Sequence, residues 1–168
     1  MTAAADGRQP ERRVEEWLRR QGLRPERFSA RRRKTTKTPD FRVSTPRDES
    51  FLVEVKRLAN PAPGRGAVAL KLIRARAQFD AVNQGGHLAN VLALVVPSPP
   101  ALLPILESFA AVHLPNPLQG VDLVVGLADD GPGGAARLLH DAVRPRHRAV
   151  LAANLELEPP LADPEGRP

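Results

Sequence analysis

The chain contains no cysteine and few aromatic residues. Its 168 residues include five phenylalanines, one tryptophan and no tyrosine, so aromatic residues make up 4% of the sequence. Without cysteine, disulfide bonds and thiolate metal sites are excluded. With so few aromatic residues, we expect the hydrophobic core to be built from leucine, valine and alanine.

The sequence also lacks any apolar run of 18 residues, and we therefore predict no transmembrane helix. Its first residues, MTAAADGRQPERR, include no apolar segment typical of a secretory signal, so a cytoplasmic location is expected. The histidines do not have the H-E-x-x-H spacing of a zinc site. We predict structural or surface roles for all four, which are His87, His113, His140 and His147.

Positive charge is in excess and unevenly distributed. Lysine and arginine outnumber aspartate and glutamate by 25 to 19, which gives a net charge of +6. Such a surface attracts polyanions, including nucleic acids, through phosphate contacts. Five cations lie within one short stretch, namely Arg31, Arg32, Arg33, Lys34 and Lys37. We interpret this stretch as an arm that contacts DNA phosphates, and a solvated charge run is the alternative.

Length and periodicity indicate one α/β domain over residues 10–157, between a disordered N-terminus (1–9) and a disordered Pro-rich tail (158–168). The predicted helices cover residues 11–21, 68–84, 100–112 and 135–142. The predicted strands cover residues 41–44, 51–56, 88–96, 121–127 and 149–157. A further short strand near Phe28 is left as an alternative to a loop. Residues 129–134 are expected to form a loop. This order implies a mixed central sheet with helices on both faces.

The predicted hairpin brings two carboxylates and an amine together. Glu54 and Lys56 lie two residues apart on a strand, so they share a face. If the apolar residues of both strands share the opposite face, Asp40 lies on the side of Glu54 and Lys56. A turn of five residues that pairs Ser44 with Ser50 would set Asp40 opposite Glu54.

This grouping suits the hydrolysis of phosphodiesters. Two carboxylates and nearby carbonyl oxygens form the hard-oxygen site that Mg²⁺ or Mn²⁺ prefers. The metal ion would activate a water molecule, and a neighbouring lysine would stabilise the transition state. The alternative is a solvated strand face on which Glu54 and Lys56 form a charge pair.

The residues from Thr38 to Phe41, followed by those from Phe51 to Lys56, resemble the motif of the PD-(D/E)XK nuclease superfamily. This superfamily includes many restriction endonucleases and Holliday-junction resolvases. The predicted elements of residues 11–96 are similar to its core order, α-β-β-β-α-β, whereas the rest of the chain resembles it weakly. The resemblance implies a restriction-endonuclease-like fold, and because such members often dimerise, a homodimer stays open.

The resemblance also implies roles for individual residues. Asp40 and Glu54 would be metal ligands, the Val55 carbonyl would be a third ligand, and Lys56 would be the catalytic lysine. Many members add an acidic residue on the first helix, which points here to Glu11.

Other helix residues are assigned with alternatives. Glu15 is the alternative to Glu11 for the acidic residue of the first helix, and either glutamate could instead be a surface residue near the helix dipole. Gln78 lies where some members carry a glutamine in the site. It shares a helix face with Lys71 and Arg74, so we predict that these three side chains contact DNA. A plain surface role for Gln78 stays open.

The sequence therefore predicts a Mg²⁺-dependent endonuclease that hydrolyses DNA, with one or two metal ions. The first alternative is a nucleic-acid-binding module that has the same fold and no activity. The second is a structural or partner-binding protein whose basic surface serves solubility.

Overall fold

The computed structural model describes residues 8–29, 36–60, 63–111, 120–129 and 135–159. The described helices are α1 (Gln9–Arg20), α2 (Arg65–Asp80), α3 (Leu102–Ala111) and α4 (Pro145–Asn154), and a 3₁₀ turn at Pro99–Ala101 precedes α3. The described strands are β1 (Arg24–Arg27), β2 (Phe41–Ser44), β3 (Ser50–Arg57), β4 (Ala89–Val96), β5 (Leu123–Ala128) and β6 (Arg137–Asp141). Within these ranges, no helix has the length and apolar character needed to cross a membrane.

The six strands form one mixed sheet in the order β1-β2-β3-β4-β5-β6. Neighbours among β1, β2 and β3 are antiparallel, β3, β4 and β5 run parallel, and β6 pairs antiparallel with β5. Parallel neighbours require a crossover, and α2 and α3 lie in the two crossovers. The predicted α/β class, with a mixed sheet flanked by helices, is confirmed.

Helices cover both faces of the sheet because strand side chains alternate between the two faces. On one face, α1 and α4 pack on a hydrophobic cluster that includes Trp17, Phe51 and Leu151. On the other face, α2 and α3 pack on a cluster that includes Phe79 and Ile105. Every residue of β4 is buried, which explains the nearly continuous apolar sequence of that strand.

The helix predicted over residues 135–142 is wrong. Residues Arg137–Asp141 form β6 instead, and β6 pairs with the buried strand β5. Without β6, the outer edge of β5 would carry a row of unpaired backbone groups, which are costly away from water. Pairing of this edge therefore outweighs the local helical preference of a short segment.

The strand predicted over residues 149–157 is also wrong, because α4 occupies most of it. Pro145 is suited to the first helical position, since its φ angle is fixed and it has no amide hydrogen to satisfy. His147 and Leu151, four residues apart, are both buried on one side of the helix. Beyond α4, Glu158 forms an isolated bridge with Arg137. The chain therefore continues from β5 with a strand and then a helix.

A buried carboxylate holds the start of α4 against the sheet. Asp122 is 1% exposed and accepts hydrogen bonds from the guanidinium and the amide of Arg144 and from the amide of Asn90. Burial raises the pKa of Asp122, but these hydrogen bonds outweigh the burial and lower the pKa overall. The interaction fixes α4 to the beginnings of β4 and β5.

The remaining predicted elements agree with the observed ones to within a few residues, and β1 lies just before Phe28. The predicted start of the domain at residue 10 falls inside α1, which begins at Gln9. Residues 1–7 and 160–168, most of the predicted loop at 129–134, and the predicted basic arm from Arg31 to Lys34 lie outside the described residues.

Candidate functional site

The hairpin of β2 and β3 determines where Asp40 lies. Ser44 pairs with Ser50, and the antiparallel pairing continues to the first residue of β2. One further step in this register places Asp40 opposite Glu54, on the face that α2 covers. The predicted hairpin register is therefore confirmed.

The carboxylate of Asp40 binds a backbone amide of β3. Its Oδ2 atom accepts a hydrogen bond of 2.9 Å from the Val55 amide. The last cross-strand pair joins Phe41 and Val53, and Val55 lies beyond it. The Asp40 carboxylate therefore supplies the acceptor that a backbone carbonyl of a longer β2 would supply. The N–H and C=O of a strand residue point to the same edge. The Val55 carbonyl is therefore directed to the edge at which Asp40 lies.

Glu54 is a buried carboxyl group with one unsatisfied oxygen. The residue is 1% exposed, its Oε1 accepts a hydrogen bond from Lys56 Nζ, and its Oε2 is buried without a hydrogen-bond partner. Burial, together with the negative charge of Asp40, raises the pKa of Glu54 to about 8, although Lys56 opposes the shift. This burial does not fit the alternative in which Glu54 and Lys56 form a solvated charge pair.

Lys56 lies between Glu54 and α2. Its Nζ atom also donates a hydrogen bond of 2.5 Å to Gln78 Oε1, and Gln78 Nε2 donates one of 3.0 Å to the Thr38 carbonyl. A side-chain amide has one acceptor end and one donor end, so the bond to Thr38 turns the Gln78 oxygen toward Lys56. Gln78 therefore links Lys56 to the segment that leads into Asp40.

These side chains line an open groove with a volume of about 590 Å³. Asp40, Lys56 and Gln78 line it, as do two cations, Lys37 and Arg74. Both cations are exposed. The groove thus combines one carboxylate, Asp40, with the cations Lys37, Lys56 and Arg74, and such cations can stabilise negative charge on a phosphate ester.

Of the residues predicted to contact DNA, Lys37, Arg74 and Gln78 line the groove. Lys71 is half-buried on α2 and is not part of the lining. Four further residues predicted to contact DNA lie outside the described residues, namely Arg31, Arg32, Arg33 and Lys34.

The two glutamates considered on α1 have different surroundings. Glu11 is half-buried, and its Oε2 atom is shielded from solvent. Glu15 forms two arginine ion pairs, the shorter at 2.7 Å with Arg27 of β1. Among the described residues there is no group of three or more His, Cys, Asp or Glu that could hold a metal ion. The candidate site therefore has two carboxylates, Asp40 and Glu54.

Sequence reasoning missed two residues near the site. Arg42 is exposed on β2, on the same face as Asp40, and the alternation of apolar and polar residues along β2 could have identified it. Thr38 is 3% exposed, and its Oγ1 atom is buried without a hydrogen-bond partner. Thr38 is the first residue of the sequence motif, but only the tertiary contact between its carbonyl and Gln78 gives it a role at the site.

Comparisons with known proteins found no match among protein-family models, curated proteins or solved structures.

Proposed function

We propose that this protein is a metal-dependent endonuclease of the PD-(D/E)XK type that hydrolyses phosphodiester bonds of DNA. The observation that carries the proposal is that Asp40 and Lys56 line one groove while the buried Glu54, which has an unsatisfied oxygen, accepts a hydrogen bond from Lys56. A buried carboxyl group whose pKa is raised, lying beside a second carboxylate and an amine, is a typical feature of catalytic sites.

The side chains present fit a Mg²⁺ ion, and Mn²⁺ could substitute for it. Mg²⁺ is usually bound through one or two carboxylates, with water and substrate phosphate completing its shell. Asp40 and Glu54 supply two carboxylates, and the Val55 carbonyl is directed to the same edge. A cation would also satisfy Glu54 Oε2. When bound, the metal ion would lower the pKa of a coordinated water and neutralise charge on the phosphate.

Lys56 supplies the remaining chemistry. In the hydrolysis, a water molecule gives up a proton as its oxygen bonds to phosphorus, the bond from phosphorus to one ester oxygen breaks, and that ester oxygen takes up a proton. The Lys56 ammonium donates hydrogen bonds and has no acceptor. It can hold the attacking water or a charged phosphate oxygen while the transition state forms. Gln78 positions Lys56 and needs no contact with the reacting atoms.

The order of elements over residues 9–96 supports the assignment to this superfamily. The order is α1-β1-β2-β3-α2-β4, and the resemblance noted in the sequence falls on the hairpin between the two helices. A cytoplasmic location and a role for Glu11 remain predictions, and a homodimer stays open.

Two other functions give different experimental results. A binding module without activity would bind DNA and cleave none of it, whereas a structural protein would do neither. We therefore suggest incubating the full chain with supercoiled plasmid, linear duplex and a four-way junction, with and without Mg²⁺ or Mn²⁺. Cleavage that needs the metal and disappears in Asp40→Asn is expected. No cleavage of any substrate by the wild type would reject the nuclease proposal.

Metal binding is expected to stabilise the fold through Asp40. If free Mg²⁺ is at about ten times its Kd, the stabilisation is about 1.4 kcal/mol. For a chain of this size, that corresponds to a rise in Tm of about 3–6 °C. Asp40→Asn should remove most of the rise because it takes away a charged ligand. Thermal unfolding at increasing Mg²⁺ measures the effect, and equal shifts in the two proteins would argue against this ligand.

The groove cations are expected to contact DNA phosphates. Each lost contact should reduce the slope of log K against log salt by about 0.9 for duplex DNA. Lys37→Ala and Arg74→Ala should each weaken binding to a similar degree for all sequences. Arg20→Ala is the matched control, because Arg20 is an exposed cation on α1, the helix on the other face of the sheet. A slope that Lys37→Ala and Arg74→Ala leave unchanged would show that these cations are merely solvated.

A further inference from the structure

The candidate groove has an apolar side chain in its wall. Among the described residues, the large hydrophobic side chains that are exposed are Leu70, at 45%, and Ile73, at 56%. Both belong to α2 and lie three residues apart, so they are neighbours on the helix surface. Ile73 lines the groove together with Asp40 and Lys56, whereas Leu70 does not.

Single exposed apolar side chains are common on soluble proteins and need no explanation by themselves. Ile73 differs because it lines the groove that contains the charged residues of the candidate site. Lys37 and Arg74 line the same groove, so the surroundings of Ile73 are cationic. A ligand that fits must therefore offer negative charge and an apolar surface within a short distance.

A nucleic acid strand offers both features when its bases are unpaired. In a duplex the base faces are stacked on one another, and only the base edges are accessible in the grooves. In a single strand, or in a locally unpaired region, a base face is free to pack against a protein side chain. Aliphatic side chains, including isoleucine, are used in this way when proteins contact or separate base steps.

This inference depends on the nuclease function proposed above and concerns its substrate class. We propose that Ile73 packs against the face of an unpaired base next to the scissile phosphate, so that the substrate is single-stranded or locally unpaired DNA. Lys37 and Arg74 then contact the flanking phosphates, and Asp40 and Lys56 face the phosphate that is cleaved.

A second copy of the chain is a poorer occupant for this surface. A twofold dimer would bring the same patch of both copies together. Lys71 and Arg74 lie beside the exposed apolar pair on α2, so like charges would face each other across the interface. The cations favour a polyanion over a copy of this surface.

The test compares one sequence as a single strand, as a duplex, and as a duplex with a short central bubble. With Mn²⁺ or Mg²⁺, the wild type should cleave the single strand and the bubble about tenfold or more faster than the duplex, which is the scale on which burial of one aliphatic side chain acts. Ile73→Ser should reduce this preference about fivefold or more. Leu70→Ser, an equally apolar and exposed position outside the groove lining, should retain the preference.

Binding by the Asp40→Asn protein, measured by fluorescence anisotropy with the same three DNAs, separates the two proposals. If the wild type cleaves none of the DNAs, the nuclease function fails. If unpaired DNA nevertheless binds more tightly than the duplex, and Ile73→Ser removes this difference, the contact with an unpaired base stands. Equal binding and equal cleavage of all three forms would overturn the inference. The inference would also be overturned if the chain forms a dimer, if Ile73→Ser and Leu70→Ser both dissociate that dimer, and if neither variant changes the DNA preference.

Discussion

Replacement of Lys56 by alanine is expected to slow single-turnover cleavage by about a hundredfold or more, the scale on which a preorganised electrostatic contact acts. Lys56 Nζ is held by Glu54 and Gln78, so its position is fixed before substrate binds. The fold should survive the substitution. Burial and Asp40 already raise the pKa of Glu54 to about 8, and the carboxyl group can take up a proton when its partner is lost.

The measurement is single-turnover cleavage at saturating metal, with DNA affinity and Tm determined on the same samples. Arg20→Ala is the control, because Arg20 is an exposed cation of α1, the helix on the other face of the sheet. It should cleave at a rate close to that of the wild type. If Lys56→Ala also cleaves at the wild-type rate, Lys56 has no catalytic role, and its bond to Glu54 is structural.

Glu54→Gln is expected to increase the stability of the metal-free protein at neutral and higher pH. The pKa of Glu54 is about 8 in the folded protein, compared with 4.5 for the free side chain. Between these values the folded state retains a proton that the unfolded state has lost, so the stabilising contribution is complete below pH 4.5 and disappears as the pH rises through 8. The free energy of unfolding should therefore fall by about 1.4 kcal/mol per pH unit in this window.

The glutamine variant isolates this effect. Its side chain keeps an oxygen that can accept from Lys56, but it has no titrating proton. Burial lowers the pKa values of His140 and His147 in both proteins, so their opposite contribution below pH 6.5 cancels in the difference between the two curves. Urea unfolding at several pH values measures the difference. Parallel curves for wild type and Glu54→Gln would show that the Glu54 pKa is not raised.

Metal ions should reduce the stability advantage of Glu54→Gln over the wild type. A divalent cation binds the ionised carboxyl group, so the stabilisation of the wild type by Mg²⁺ should grow as the pH rises toward 8. Glu54→Gln should gain little at any pH because one charged ligand is missing. A Tm shift with Mg²⁺ that is independent of pH, or equal in both proteins, would count against Glu54 as a ligand.

The sequence by itself determined the hairpin and the face on which the candidate residues lie. Side chains alternate strictly along a strand, so burial of Phe41 and Val53 on one face leaves Asp40, Glu54 and Lys56 on the other. The unbroken apolar run of β4 likewise indicated a strand covered on both faces. These features follow from local geometry and from the requirement to bury apolar surface.

Only the tertiary structure decided which elements follow β5 and what surrounds the candidate site. β6 forms because β5 has an edge to be paired, and α4 packs where Asp122 holds its first turn, so neither could be read from a short segment alone. The burial of Glu54 and the bond from Lys56 to Gln78 join residues of β3 and α2. The pKa of Glu54 and the geometry of these contacts depend on packing between elements, which a local pattern does not encode.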